Sequence, residues 1–87
     1  MATINTSEVT AGTASVVLVA GDADGKTAIC HNESAVTVYV GGSDVSTANG
    51  FPVEAGGTLS FSTPAGLSFH VVAGTDGNAV RVMVLDR

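Results

Sequence analysis

The chain has 87 residues, three basic against eight acidic, for a formal net charge of -5. That length holds one domain and no second one, and a surface so poor in cations has no patch with which to neutralise phosphates, so a nucleic-acid partner is not expected. Only 13% of residues are charged while 45% are apolar, against about 25% charged in ordinary globular chains, so little of the surface is built for free solution.

The first fourteen residues, MATINTSEVTAGTA, lack a basic start and the apolar core of a signal peptide. The longest apolar runs fall far short of a bilayer's width, so no membrane partner is expected and synthesis is placed in the cytoplasm. The segment is rich in Thr, Ala and Ser, with Ile4 and Val9 as its sizeable apolar anchors. It reads as an extended N-terminal arm over 1-14, or a loose terminus, ahead of a single β domain over 15-87.

Ser15 to Ala20 is a β-branched run ending at Gly21-Asp22-Ala23-Asp24-Gly25, a turn. Asp22 and Asp24 are spaced like the first two ligands of an EF-hand, and Glu33 falls at the twelfth position. Lys26 stands at the third ligand position, Thr27 where the sharp turn needs glycine, and β-rich sequence follows, so no metal or other cofactor is assigned.

Thr27 to Asn32 and Ala35 to Val40 read as a hairpin around Asn32-Glu33-Ser34, a glycosylation sequon whose plain meaning here is a turn. Cys30 and His31 are neighbours on a strand and therefore point to opposite faces, which denies them a joint role as nucleophile and base. A lone cysteine also excludes an intramolecular disulfide staple and a Cys-based metal site. The two histidines, His31 and His70, have no third ligand nominated by the sequence.

Gly41 to Gly50 is a polar, glycine-bounded loop leading to Phe51-Pro52-Val53, where Pro52 confines the segment to an edge or a crossing and Phe51 is expected to anchor it in the core. Thr58 to Ser62, Leu67 to Ala73 and Ala79 to Leu85 alternate as half-buried strands. Six to seven short strands separated by turns predict an all-β fold, a small antiparallel sandwich or barrel.

Several strands carry apolar side chains on the face that should be wet: Val17 and Val19, Ile29, Tyr39, Val72, Met83 and Leu85. Leaving them in water forgoes roughly 1.5–3 kcal/mol each, so they argue for a homo-oligomer or for docking on a larger surface; a tight sandwich that covers them is the alternative. The partner surface expected from the sequence is Ile4, Val9, Val17, Val19, Tyr39, Met83 and Leu85, with Ser43, Asp44 and Asn49 as loop contacts. No Walker lysine, GxSxG or dinucleotide fingerprint is present, and no catalytic residue is nominated, so an enzyme is not expected.

The segment VTVYVGGSDVSTANGFPVEAGGTLSFST, with the terminal RVMVLDR, resembles small virion structural proteins of tailed bacteriophages, in particular capsid decoration proteins. The resemblance covers about Ala35 to Arg87. It implies a compact β domain on the capsid exterior that binds the major capsid protein, cements contacts between neighbouring subunits and forms a homo-oligomer, a trimer by analogy. A host-binding module of a head or tail fibre, touching a receptor through Ser43 to Asn49, and a cytosolic ligand-binding domain using the glycine-rich loop are the alternatives.

Overall fold

The computed structural model describes residues 3–21 and 25–86. They form eight strands and no helix: β1 (Thr3–Ala11), β2 (Val16–Val19), β3 (Lys26–Asn32), β4 (Val38–Gly41), β5 (Phe51–Val53), β6 (Thr58–Thr63), β7 (Phe69–Ala73) and β8 (Asn78–Asp86). The strands build two four-stranded sheets, ordered β1-β8-β3-β6 (sheet A) and β2-β7-β4-β5 (sheet B).

Every pairing is antiparallel, and the outermost strands of the sequence pair with each other first. β1 lies on β8, β2 on β7, β3 on β6 and β4 on β5. The chain thus runs out along four strands and returns along the next four, a long double ribbon folded into two layers and closed by the β3–β8 and β4–β7 ladders. This is the jelly-roll form of the β-sandwich. The sandwich expected from the sequence is present, while the barrel is not, because each sheet ends in open edges; the strand number is eight rather than six or seven.

The added strand comes out of the N-terminal segment. Thr3–Ala11 pairs residue for residue with β8, from Thr3 opposite Asp86 to Ala11 opposite Asn78. Thr, Ile and Val recur through TINTSEVTA and suit a pleated edge. Composition alone hid the strand because its stability comes from a partner more than sixty residues away. Asn78 secures its far end: the buried side-chain amide donates to Ala11 O at 3.2 Å and to Thr75 O at 2.6 Å.

The expected β3–β4 hairpin does not form, since the two strands belong to different sheets. Asn32 explains the crossing. Fully buried, it donates to Val36 O at 2.7 Å and Val53 O at 2.9 Å, while its Oδ1 accepts from Ser34 N and Ser34 Oγ. Both amide hydrogens and the carbonyl oxygen are satisfied, so a buried polar group becomes the clasp that turns the chain from sheet A to sheet B. The sequon is structural, and the strand expected from Ala35 starts only at Val38.

Between the sheets lies a core built of small β-branched side chains. Val38, Val71 and Val80 are among the largest fully enclosed residues, with Val40, Val53, Val82, Ala28 and Cys30 around them. Phe61 on β6 and Phe69 on β7 bridge the two sheets with ring centroids 4.6 Å apart. Sheet A is the longer layer, since β1 and β8 have nine residues each and β2 and β4 only four. Its β1 end therefore overhangs sheet B, and Asn5 and Ser7 remain exposed on the inward side.

Candidate interaction surface

The registers of β1, β8, β3 and β6 fix which side chains share the outer face of sheet A. One row across the sheet is Ile4, Leu85, Thr27 and Ser62; the next is Thr6, Met83, Ile29 and Ser60; the third is Glu8, Arg81, His31 and Thr58. The first two rows place Ile4, Leu85, Met83 and Ile29 next to one another at neighbouring positions. Ile4 is 68% exposed and Leu85 38%, with Met83 and Ile29 half-buried among them. The third row is charged: Arg81 Nε lies 3.0 Å from Glu33 Oε1 and 3.8 Å from Glu8 Oε2. His31 Nδ1 is 3.0 Å from Thr58 Oγ1.

The face is thus divided into an apolar half and a polar half. Exposed ion pairs of this kind add little stability. Their chemical use is to fix where charge sits beside the apolar patch. A shallow hollow between Thr6, Ile29, His31, Arg81 and Met83 joins the two halves.

Sheet B presents a different outer face. Tyr39 stands opposite Val72 and Pro52, and Val17 opposite His70. The β4–β5 loop folds back over this face. A Cβ added at Gly50 would lie 2.6 Å from Tyr39 Cβ and 2.8 Å from Val45 Cγ2, and one at Gly41 would lie 3.0 Å from the same Val45 methyl. Val45 is only 8% exposed, a small core of its own seated between two glycines that give it room.

Hydrogen bonds brace the loop internally. Val45 N donates to Gly42 O at 3.0 Å and Gly50 N to Ser46 O at 2.9 Å, while Asn49 Oδ1 accepts from Ser46 N at 2.8 Å. Asn49 also donates to Asp44 O, and the Ser15 hydroxyl donates to Ser43 O. Ser43, Asp44 and Asn49 are exposed, as their proposed contact role requires, yet Asn49 spends both ends of its amide on the loop itself. The glycines are architectural.

The seven residues expected to meet a partner are therefore distributed over several places. Ile4, Met83 and Leu85 come together on sheet A with Ile29. Tyr39 and the 49%-exposed Val17 lie on the opposite sheet, and Val9 is half-buried against the core. Val19 corrects an expectation: at 3% exposure it belongs to the core. The cause is a bulge between Val17 and Val19, which inserts Leu18 into the ladder with β7 and turns Val19 inward. Val72, also expected to be wet, is buried. Phe51, expected to anchor the crossing, is 62% exposed on the edge strand β5, and Val53 and Val45 take the buried places instead.

Cys30 and His31 face opposite sides of sheet A, Cys30 into the core and His31 outward. Burial pushes the Cys30 thiol above its ordinary value of 9.0, against a lowering by backbone hydrogen bonds from Leu59 and Cys30 itself. His70 lies on the outer face of sheet B, so the sandwich separates the two histidines. Its Nδ1 is enclosed with no hydrogen-bond partner among the described residues. Asp22 and Asp24 of the calcium-like spacing lie outside the described residues. Among the described residues no group of three His, Cys, Asp or Glu side chains could hold a metal ion.

No family model matches the chain, and no curated protein is significantly similar to it. Among solved structures, its fold matches a subunit of Bacillus endospore appendages, which "form a novel family of disulfide-linked pili". The match covers 98% of this chain and 84% of that one, with a TM-score of 0.70 and 13% sequence identity. At that identity the likeness is one of fold.

Proposed function

We propose that the chain is a non-enzymatic structural subunit that docks through the outer face of sheet A, and that its place is the exterior of a phage capsid, cementing major capsid subunits. The observation that carries the reading is the contrast between the two outer faces. Sheet B carries its own braced loop over its outer face and leaves Val17 exposed beside it, whereas sheet A leaves the exposed Ile4 and Leu85 contiguous with the half-buried Met83 and Ile29. Contiguous apolar side chains beside fixed charges are the composition of a protein-docking patch. The capsid as partner rests on the VYVGGSDVSTANGFP spelling, which resembles decoration proteins.

A second reading has its own support. The fold likeness to an appendage subunit favours a chain that polymerises with itself. Covalent linkage of the kind named for those pili finds no donor in these 87 residues, because their one cysteine is buried. Copies would be held by side-chain and backbone contacts alone.

The experiment is direct. Purified chain is added to undecorated capsids, and binding and resistance to heat are followed for the wild type and for Leu85→Asp. The cement reading expects saturable binding and a raised disruption temperature, both lost in Leu85→Asp. No binding, or binding untouched by the substitution, overturns it. Growth of regular filaments from the chain alone would favour the appendage reading.

A further inference from the structure

We infer that copies of this chain join edge to edge, β1 of one copy adding to β6 of the next, so that sheet A continues across the assembly. This is a second contact, at right angles to the docking face, and it holds whichever partner that face takes.

The four sheet edges are not protected alike. Exposed edges are usually blunted by shortness, proline, lysine or a bulge. In sheet B, β2 has four residues and a bulge, and β5 has three residues and Pro52. In sheet A, β1 runs nine residues in unbroken register and β6 six, with no proline, lysine or bulge in either. Both edges of one sheet are open and both edges of the other are closed. Among the described residues neither open edge has a strand partner.

The backbone groups on those edges can be identified. Asn32 N donates to Gly57 O, which makes that pair a hydrogen-bonded one. Counting by twos along the β3–β6 register, Leu59, Phe61 and Thr63 turn their backbone groups to β3, while Thr58, Ser60 and Ser62 turn theirs outward. The same count carried through β3 and β8 directs the backbone groups of Ile4, Thr6, Glu8 and Thr10 to the free edge of β1. Glu33 N donating to Ala79 O agrees with that phase.

The two edges also fit each other. A four-stranded antiparallel sheet ends with β6 running opposite to β1, so a second copy in the same orientation offers its β1 antiparallel to β6. Setting Thr6 opposite Ser60 places Ile4 opposite Ser62 and Glu8 opposite Thr58, so the free backbone groups meet as hydrogen-bonded pairs. The side chains of these residues already share the outer face. Hydroxyl pairs across strands are favourable, and β6 brings no acidic residue to meet Glu8. A contact between two different edges is head-to-tail, which closes into a ring or extends as a filament.

Proline tests the pairing without touching the internal ladders. Thr6→Pro removes an N–H from the free edge of β1 and Ser60→Pro one from that of β6, both outside the hydrogen-bonded pairs of their own sheet. The wild type is expected to sediment as multimers growing with concentration, and each variant alone as a monomer. An equimolar mixture of the two is expected to double the monomer mass, because one chain keeps β1 and the other β6. Circular dichroism and thermal melts check that both variants fold, and Glu8→Pro with Ser62→Pro repeats the design at other positions of the same pairing. A monomeric wild type at high concentration, a Ser60→Pro chain that dimerises alone, or a folded mixture that stays monomeric overturns the inference. The outcome is independent of the docking face, which Leu85→Asp probes while leaving both edges intact.

Discussion

The two outer faces of the sandwich receive similar sequence and end differently. Each alternates apolar residues with polar ones on the side away from the core: Tyr39, Val72 and Val17 on sheet B, and Ile29, Met83 and Leu85 on sheet A. Sheet B gains a cover from its own chain, the β4–β5 loop with Val45, and Val72 is buried. Sheet A gains none, because β1 adds to its edge instead of crossing its face. An apolar outer residue thus marks an interface only once the loops are placed.

Substitutions at matched positions should separate the covered face from the bare one. The largest effect is expected at Gly50→Val, where the new side chain would meet Tyr39 Cβ and Val45 at well under contact distance. Forcing the loop off sheet B should cost about 2–3 kcal/mol in urea unfolding. Val45→Ala leaves the loop in place but removes its small core, for a loss of about 1.5 kcal/mol by the same measurement.

Cys30 compares the two sides of one strand, since it is enclosed while its neighbour His31 faces out. The native thiol should resist a thiol-reactive dye that labels it fully in denaturant. Its raised proton affinity means both folded and unfolded chains hold the thiol neutral below pH 9.0, its ordinary value. Above that pH the unfolded chain ionises first, so stability should fall as pH rises from 9 in a chemical-denaturation series, less so in Cys30→Ala. The smallest effect on folding is expected on the bare face: Leu85→Ser should shift stability by no more than about 0.5 kcal/mol. It should nevertheless weaken attachment to the partner, the signature of a residue kept for contact.

Much of the fold was legible in the sequence, for a physical reason. Val38 and Val40, Val80 and Val82 alternate strictly, and period-two alternation survives in any sandwich. Pairing was less legible. Asn32-Glu33-Ser34 has the composition of a hairpin turn, and only the burial of Asn32 against Val53 O shows that it sends the chain to the other sheet. β1 is not legible in its own segment because its partner is β8, at the other end of the chain. For the surface, Met83 and Leu85 were readable from alternation, and Val19 misread because one inserted residue reverses the phase. The loop's cover does have a signal in the sequence: Val45, an apolar residue isolated between Gly42 and Gly50, has few reasons to sit in a polar loop other than to be buried.

The central claim is that this chain meets its neighbours through sheet A and keeps sheet B to itself. Amide chemical shifts followed as the protein is concentrated test it residue by residue. The expected result is progressive shifts at Ile4 to Thr10 and Thr58 to Ser62 as copies join, and at Ile29, Met83 and Leu85 once capsid protein is added, with Gly42 to Gly50 unmoved in both. Shifts confined to that loop and to Val17 and Tyr39, or no change anywhere, would contradict it.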